Sequence, residues 1–363
     1  MLSAYDHSAA YSHWDAGLWT RVLAASGVRS PFTEAPFTEA MLAGLAGGIG
    51  FMIFTFEYKE TTTASAVTRF HPGPYTENLV RRSGANVHIQ QTGSAKLARS
   101  RLDAALETGV PAVVRVVRGK LPWIVEDPLA DMDSMDIVVA GREGGDYLLD
   151  DGAGRLGRAT PDELALARGS RKADKHWQAH VVTRGGEALE GEELTTVVVR
   201  QAMGETLQEL LSEQAPPGIP PGYAKNFGIL GMRMWAQRLT DGRSRHGWLR
   251  IFADPERSRA GMDMLHGLLS GKRFSGPGAL RPLYAQFLEE AALIGEGVSA
   301  VERSGMQEAA AQYRVLGEHW EALTGLVGAS GGPDFAAMAG QVEAIAELES
   351  HAATTLQAAL ARH

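Results

Sequence analysis

Residues 38–56, TEAMLAGLAGGIGFMIFTF, pass from helix to strand within one short stretch. Thr38 is placed to cap a helix beginning at Glu39, because a threonine side chain can accept from the backbone N–H groups that a helix start leaves open. The glycine-rich run that follows lets the chain turn tightly, and FMIFTF at 51–56 reads as a strand. GLAGGIG is a backbone turn rather than a phosphate cradle: it follows a helix instead of a strand, and no Lys-Ser/Thr pair ends it. Helix and strand joined this closely call for a mixed architecture.

Upstream, residues 15–26 carry Leu18, Trp19, Val22 and Leu23 at helical spacing, with Gly27 as a stop. The doubled PFTEA at 31–35 and 36–40 is too short to mark a repeat architecture. Downstream, SAKLARSRLDAALETG reads as an amphipathic helix ending at Gly109, and PAVVRVV as a strand buried on at least one face. IVVAG (137–141) and DYLLD (146–150), separated by Arg-Glu-Gly-Gly, form a hairpin signature. TTVVV at 195–199 is expected to close the strand list.

From 213 to 223 proline and glycine dominate, which suits a linker or long loop. Beyond it three apolar stripes recur at helical spacing: Leu283, Phe287, Leu288 and Ile294; then Tyr313, Leu316, Trp320 and Leu323; then Phe335, Met338, Val342, Ile345 and Leu356. The expectation is an α+β N-terminal domain with a mostly antiparallel sheet over 1–200 and a helical domain over 201–363. The helical stripes would serve a homodimer as readily as a core.

A chain of 363 residues with 44% hydrophobic residues can bury one large or two ordinary cores. Its formal net charge of −8, with lysine and arginine scattered, argues against nucleic acid or an anionic membrane as partner. The first residues lack the basic start and apolar run of a signal peptide, and no stretch of about 18 apolar residues occurs, so a cytoplasmic location is expected. There is no cysteine. Thiolate chemistry and disulfides are excluded together.

His13-Trp14-Asp15-Ala16-Gly17-Leu18 followed by Thr38-Glu39-Ala40 and the glycine run to Phe51 resembles the N-terminal domain of the butirosin biosynthesis protein H family. Leu121-Pro122-Trp123 stands where that family usually has Leu-Pro-Tyr. Ala167-Arg168 after Pro161-Asp162-Glu163-Leu164 fits its Glu-Leu-x-x-Ala-Arg pattern. Phe227-Gly228, the run Leu283 to Ala291, Tyr313 and Trp320 look like the helical domain that usually follows.

The resemblance implies a papain-like, cysteine-peptidase-like fold turned to acyl transfer from a carrier-protein thioester to an amine, through cysteine, histidine and aspartate. Such a set works because a thiolate attacks, an imidazole activates it and a carboxylate orients the imidazole. Here the cysteine position holds Trp14. The histidine position, counted back six from Gly141, holds Met135, while the aspartate equivalent is Asp150. Trp14 and Met135 either fill a disused pocket or wall an apolar chamber.

Candidate proton carriers are His13, Glu39 and Asp150, and candidate substrate-binding residues are Trp14, Met135, Arg118, Lys120 and Trp123. Arg118 and Lys120 close a strand, where they could anchor a carboxylate or a phosphate. Asp15 reads as a helix-terminal carboxylate, and strand alternation turns Asp136 away from Met135, so that it is expected to miss the pocket. His176 and His180 have i, i+4 spacing but lack a third ligand, so no metal is expected, and no cofactor. Three functions remain: a non-covalent cyclisation or condensation on a small biosynthetic intermediate, free or carrier-bound; non-catalytic binding of such a metabolite or of a carrier; and cysteine-independent acyl transfer.

Overall fold

The computed structural model of the chain describes residues 4–361 apart from 60, 72, 125–129, 131–133, 192 and 296. Its first half contains α1 (Trp14–Ala25), α2 (Glu39–Leu45), β1 (Ile49–Glu57), β2 (Thr62–Arg69), α3 (Tyr75–Arg82), β3 (Val87–Gln90) and α4 (Ala95–Glu107). There follow β4 (Ala112–Val117), β5 (Ser134–Glu143), β6 (Asp146–Asp150), β7 (Gly157–Ala159), α5 (Pro161–Gly169), β8 (Gln178–Val181) and the short pair β9 (Thr183–Arg184) and β10 (Glu187–Ala188). The remainder is helical: α6 (Thr196–Leu211), α7 (Gly228–Thr240), α8 (Trp248–Ile251), α9 (Pro255–Ser270), α10 (Arg281–Ala292), α11 (Ala300–Val327) and α12 (Phe335–Leu360). The protein is α+β, with antiparallel sheet toward the N-terminus and helices toward the C-terminus.

The chain divides into two compact units that interleave in sequence. The first takes the residues up to Tyr11, Asp15–Thr38 and Val80–Leu194; the second takes Ser12–Trp14, Glu39–Leu79 and Thr195–His363. The sequence expectation drew a single boundary at residue 200, whereas the helical unit also holds α2 and the β1–β2 hairpin.

The first unit is built on a six-stranded antiparallel sheet in the order β3-β8-β4-β5-β6-β7. The expected hairpin between β5 and β6 forms, turning through Gly144 and Gly145 at positive φ (60° and 99°), where a side chain would be strained. Between Val139 and Gly141 the register of β5 on β6 shifts by one residue, a β-bulge. Helix α4 runs as expected, with Ser94 accepting from the Leu97 N–H at its start and Gly109 at φ 86° after its end. Helix α5 begins with a capping box between Thr160 and Glu163.

In the second unit the side chains of β1 and β2 that point inward, Phe51, Ile53, Ala64 and Ala66, are buried. Phe51 explains why this hairpin folds with the C-terminal helices. Its ring lies 5.9 Å from that of Trp235 on α7 and 5.9 Å from that of Trp320 on α11, and the cluster continues through Trp248 to Phe252 and Phe335. Such pairs add about 0.5–1.5 kcal/mol each beyond the area they bury. Between α2 and β1, Gly47 and Gly48 take φ of 114° and 66°; a Cβ there would lie 2.4 Å from the ring of Phe70 or Tyr284. The glycine turn read from sequence is thus required twice over, by backbone and by packing.

One element differs from expectation. Residues 195–199 open α6 instead of forming a strand. Thr195 caps the helix by accepting from the Val198 N–H, and Val199, Ala202, Met203, Thr206, Leu207 and Leu210 bury a helical stripe. A cap and four turns of period 3.6 outweigh the strand preference of three valines. Strands β2 and β3 were not anticipated. No helix among the described residues is long and apolar enough to cross a membrane.

Candidate functional site

The sheet of the first unit has two chemically distinct faces. In an antiparallel pair, residues opposite each other share a face and neighbours along the strand alternate. Asp136 pairs with Arg115 and Val138 with Asp150, so these positions share one face; Met135 pairs with Val116 and lies on the other. The second face is covered by α4 and α5: Tyr147 on β6 donates to Asp103 of α4 at 2.7 Å, and Arg168 of α5 donates to Gln178 on β8 at 3.2 Å.

The face bearing Asp136 and Asp150 receives α1. Arg21 of that helix donates from Nη1 to Asp150 Oδ2 at 2.7 Å, and the Tyr5 hydroxyl donates to the same oxygen at 2.7 Å. The Gly152 N–H donates to Asp150 Oδ1 at 2.9 Å. Asp150 is fully buried, which a carboxylate tolerates only with a counter-charge and filled hydrogen-bond positions. Burial and Asp150 together push the Tyr5 hydroxyl far above the ordinary tyrosine range. Arg21 is held in turn by the Ala9 carbonyl and lies over the Tyr11 ring at 5.0 Å. Asp150 therefore keeps an orienting carboxylate's surroundings, but what it orients is Arg21.

Asp136 is different. Its Oδ1 accepts from Arg115 Nε at 2.9 Å, and Arg115 reaches Asp174 at 3.5 Å while its guanidinium lies 4.1 Å from the centre of the Trp177 ring. Burial raises the Asp136 carboxyl to about 6 against the opposing pull of Arg115, and the charge of Asp15 at the start of α1 raises it further. Arg115 and Asp136 still keep 20% and 12% side-chain exposure, so the carboxyl is enclosed yet reachable. A half-enclosed carboxyl poised near neutrality is the property expected of a general acid or base.

The counting from Gly141 placed Met135 at the histidine position, and the bulge in β5 decides which face that residue takes. The bulge after Val139 inserts one residue, and a one-residue slip exchanges the faces of a strand. Met135 and Asp150 accordingly point to opposite faces, and Asp136 is the β5 side chain that shares the Asp150 face. Sequence alternation correctly separated Asp136 from Met135; the bulge decides which of the two faces α1.

Among the remaining predicted residues, Trp123 donates its indole N–H to Asp151 at 2.8 Å and packs on Gly157 of β7, where a Cβ would lie 2.5 Å from the ring. Arg118 and Lys120 sit half-buried in a single 3-10 turn after β4. His180 lies on β8 opposite His88 of β3, and His176 lies before that strand at φ 53°, so the pair does not share a helical face. Among the described residues no group of three or more histidines, aspartates and glutamates is placed to hold a metal.

The second unit holds His13, Trp14 and Glu39. Glu39 Oε1 accepts from the backbone N–H groups of Ser12 and His13, at 2.9 and 2.6 Å. His13 is fully buried, with Nδ1 3.5 Å from the Tyr75 hydroxyl and its ring edge-on to that of Tyr75. Trp14 is 1% exposed, and its N–H donates to the Lys272 carbonyl at 2.8 Å. Glu39 thus fixes the backbone immediately before the position of the missing cysteine.

Together these features define an α+β protein with a buried, arginine-paired aspartate and a second, near-neutral aspartate on one sheet face. The sequence model of the family described as butirosin biosynthesis protein H, N-terminal, matches residues 13–152, so this part of the chain is similar to that family. The matched span includes Trp14, Glu39, Asp136 and Asp150. No curated protein matches the chain.

Proposed function

We propose that the protein is an enzyme of specialised-metabolite biosynthesis that cyclises or condenses a biosynthetic intermediate without forming a covalent enzyme intermediate, with Asp136 moving the proton. The family's name supports the pathway class. The absence of any cysteine removes the thiolate acyl-enzyme route of the family. The observation that carries the reading is the Asp136 carboxyl, raised to about 6 beside Asp15 and Arg115 on the face that α1 covers. Acting as a base it works ionised, so kcat/KM falls as the pH drops through about 6.

The test uses free and carrier-loaded acyl intermediates with wild type and Asp136→Asn. Turnover should fall by about 10²–10⁴-fold in the variant with intermediate binding retained, the usual range for a lost general base. Undiminished turnover in Asp136→Asn sinks the assignment. An amide product formed from a carrier-loaded donor would replace cyclisation with direct acyl transfer.

A second reading is a protein that binds such an intermediate without converting it. It is favoured by the engagement of Glu39 and Asp150, whose oxygens accept from fixed backbone N–H groups, Tyr5 and Arg21. Tight binding with no chemical change in any intermediate would select it.

A further inference from the structure

We infer that the second unit carries a separate binding site for an organic ammonium, an amine joined to an apolar body, in the cavity between the end of β2 and helix α6. The cavity has a volume of about 480 Å³, within the range of small-molecule sites. Its walls are apolar and stiff: Phe70, Pro74, Pro216 and Phe227. Proline and aromatic side chains lose little freedom when a ligand arrives, and ring faces attract cations.

The charge inside is of one sign. Glu205 and Glu209, one helical turn apart on α6, line the cavity together with Gln208 and Gln214, and among the described residues no lysine or arginine lines it. Glu205 accepts from Gln201 at 3.1 Å. Burial raises the Glu209 carboxyl to about 7 despite a hydrogen bond from the His71 N–H, and the neighbouring Glu205 raises it further. His71, whose ring burial and Arg69 depress to about 4, is neutral at pH 7, and Arg69 is stacked over Tyr75 at 4.9 Å. A ligand ammonium would set a positive charge beside the Glu209 carboxyl.

Such a ligand favours the ionised form of Glu209, so binding near pH 7 releases a proton. An anion would meet two carboxylates and be repelled. A neutral molecule of the same shape would gain only the contact with the walls.

The experiment is calorimetric titration of the full chain at pH 7 with 2-phenylethylamine, 2-phenylethanol and phenylacetate, in two buffers of different ionisation enthalpy. The amine should bind at least about tenfold more tightly than the alcohol, phenylacetate should not bind, and the buffers should reveal proton release. Glu209→Gln, which keeps the shape and can still accept from His71, should abolish the proton release and weaken the amine about tenfold; Glu205→Gln should weaken the amine while leaving proton release. Circular dichroism and the unchanged affinity for the alcohol establish that each variant is folded. Equal affinity for amine and alcohol, binding of phenylacetate, absence of amine binding, or unchanged amine affinity in both variants overturns the proposal. The outcome is independent of Asp136, which belongs to the other unit.

Discussion

At the scale of single residues, two aspartates on one sheet face have been given opposite characters by their surroundings. Asp150 is fully buried and tied to Arg21, Tyr5 and Gly152, whereas Asp136 shares Arg115 with Asp174 and feels the negative charge of Asp15. The consequence for stability has a definite sign. A carboxyl raised to about 6 binds its proton more tightly when folded, so its stabilising contribution is complete below about pH 4 and is lost as the pH rises through 6. Asp136→Asn has no such loss and should gain on wild type between pH 4 and 6, by about 3 kcal/mol for a two-unit shift. Urea titrations of both proteins across that range measure it, and a constant difference would show that Asp136 titrates normally.

At the scale of elements, the turn before α10 stores strain. Gly278, Ala279 and Leu280 follow one another at φ of 56°, 54° and 67°, and only the first is glycine. Each left-handed non-glycine residue costs about 1 kcal/mol. The turn is kept because it delivers Arg281 into the core, where its guanidinium donates to the carbonyls of Thr68, Gly50 and Ala279. Ala279→Gly should therefore raise the melting temperature, with a gain of about 0.5–1 kcal/mol, since the folded backbone already suits glycine and only a methyl group is lost. A fall in melting temperature would mean that the buried methyl outweighs the strain. Helix α6 teaches a related lesson: three consecutive valines read as strand, but a threonine cap and a buried stripe extending to Leu210 make them helix.

At the scale of the whole molecule, each unit encloses an ion pair, Arg21 with Asp150 in the first and Arg281 with Glu349 in the second. Glu349 is fully buried, and burial raises its carboxyl even against the pull of Arg281. Removing one partner of such a pair leaves an uncompensated charge, so Glu349→Ala should cost about 3–5 kcal/mol. The double variant Arg281→Met with Glu349→Met should not recover wild-type stability, as some hydrophobic replacements do, because three backbone carbonyls lose their donor at about 1–3 kcal/mol each. Equilibrium denaturation of the variants decides the matter, and a double variant as stable as wild type would refute the role given to Arg281.

Much of this protein was determined by sequence alone. Period, caps and glycine stops are local, so α1, α2, α4, the β5–β6 hairpin and the three C-terminal helices could be read from spacing, and the lack of cysteine closed off thiolate chemistry outright. Tertiary structure decided what depends on long-range pairing. The β1–β2 hairpin joins the helical unit because Phe51 meets Trp235 and Trp320, residues nearly two hundred or more positions away. The identity of the side chain that faces α1 hangs on one bulged residue between Val139 and Gly141, which no periodicity in β5 announces. That bulge moves attention from Met135 to Asp136, because in a strand a shift of a single residue exchanges the two faces of the sheet.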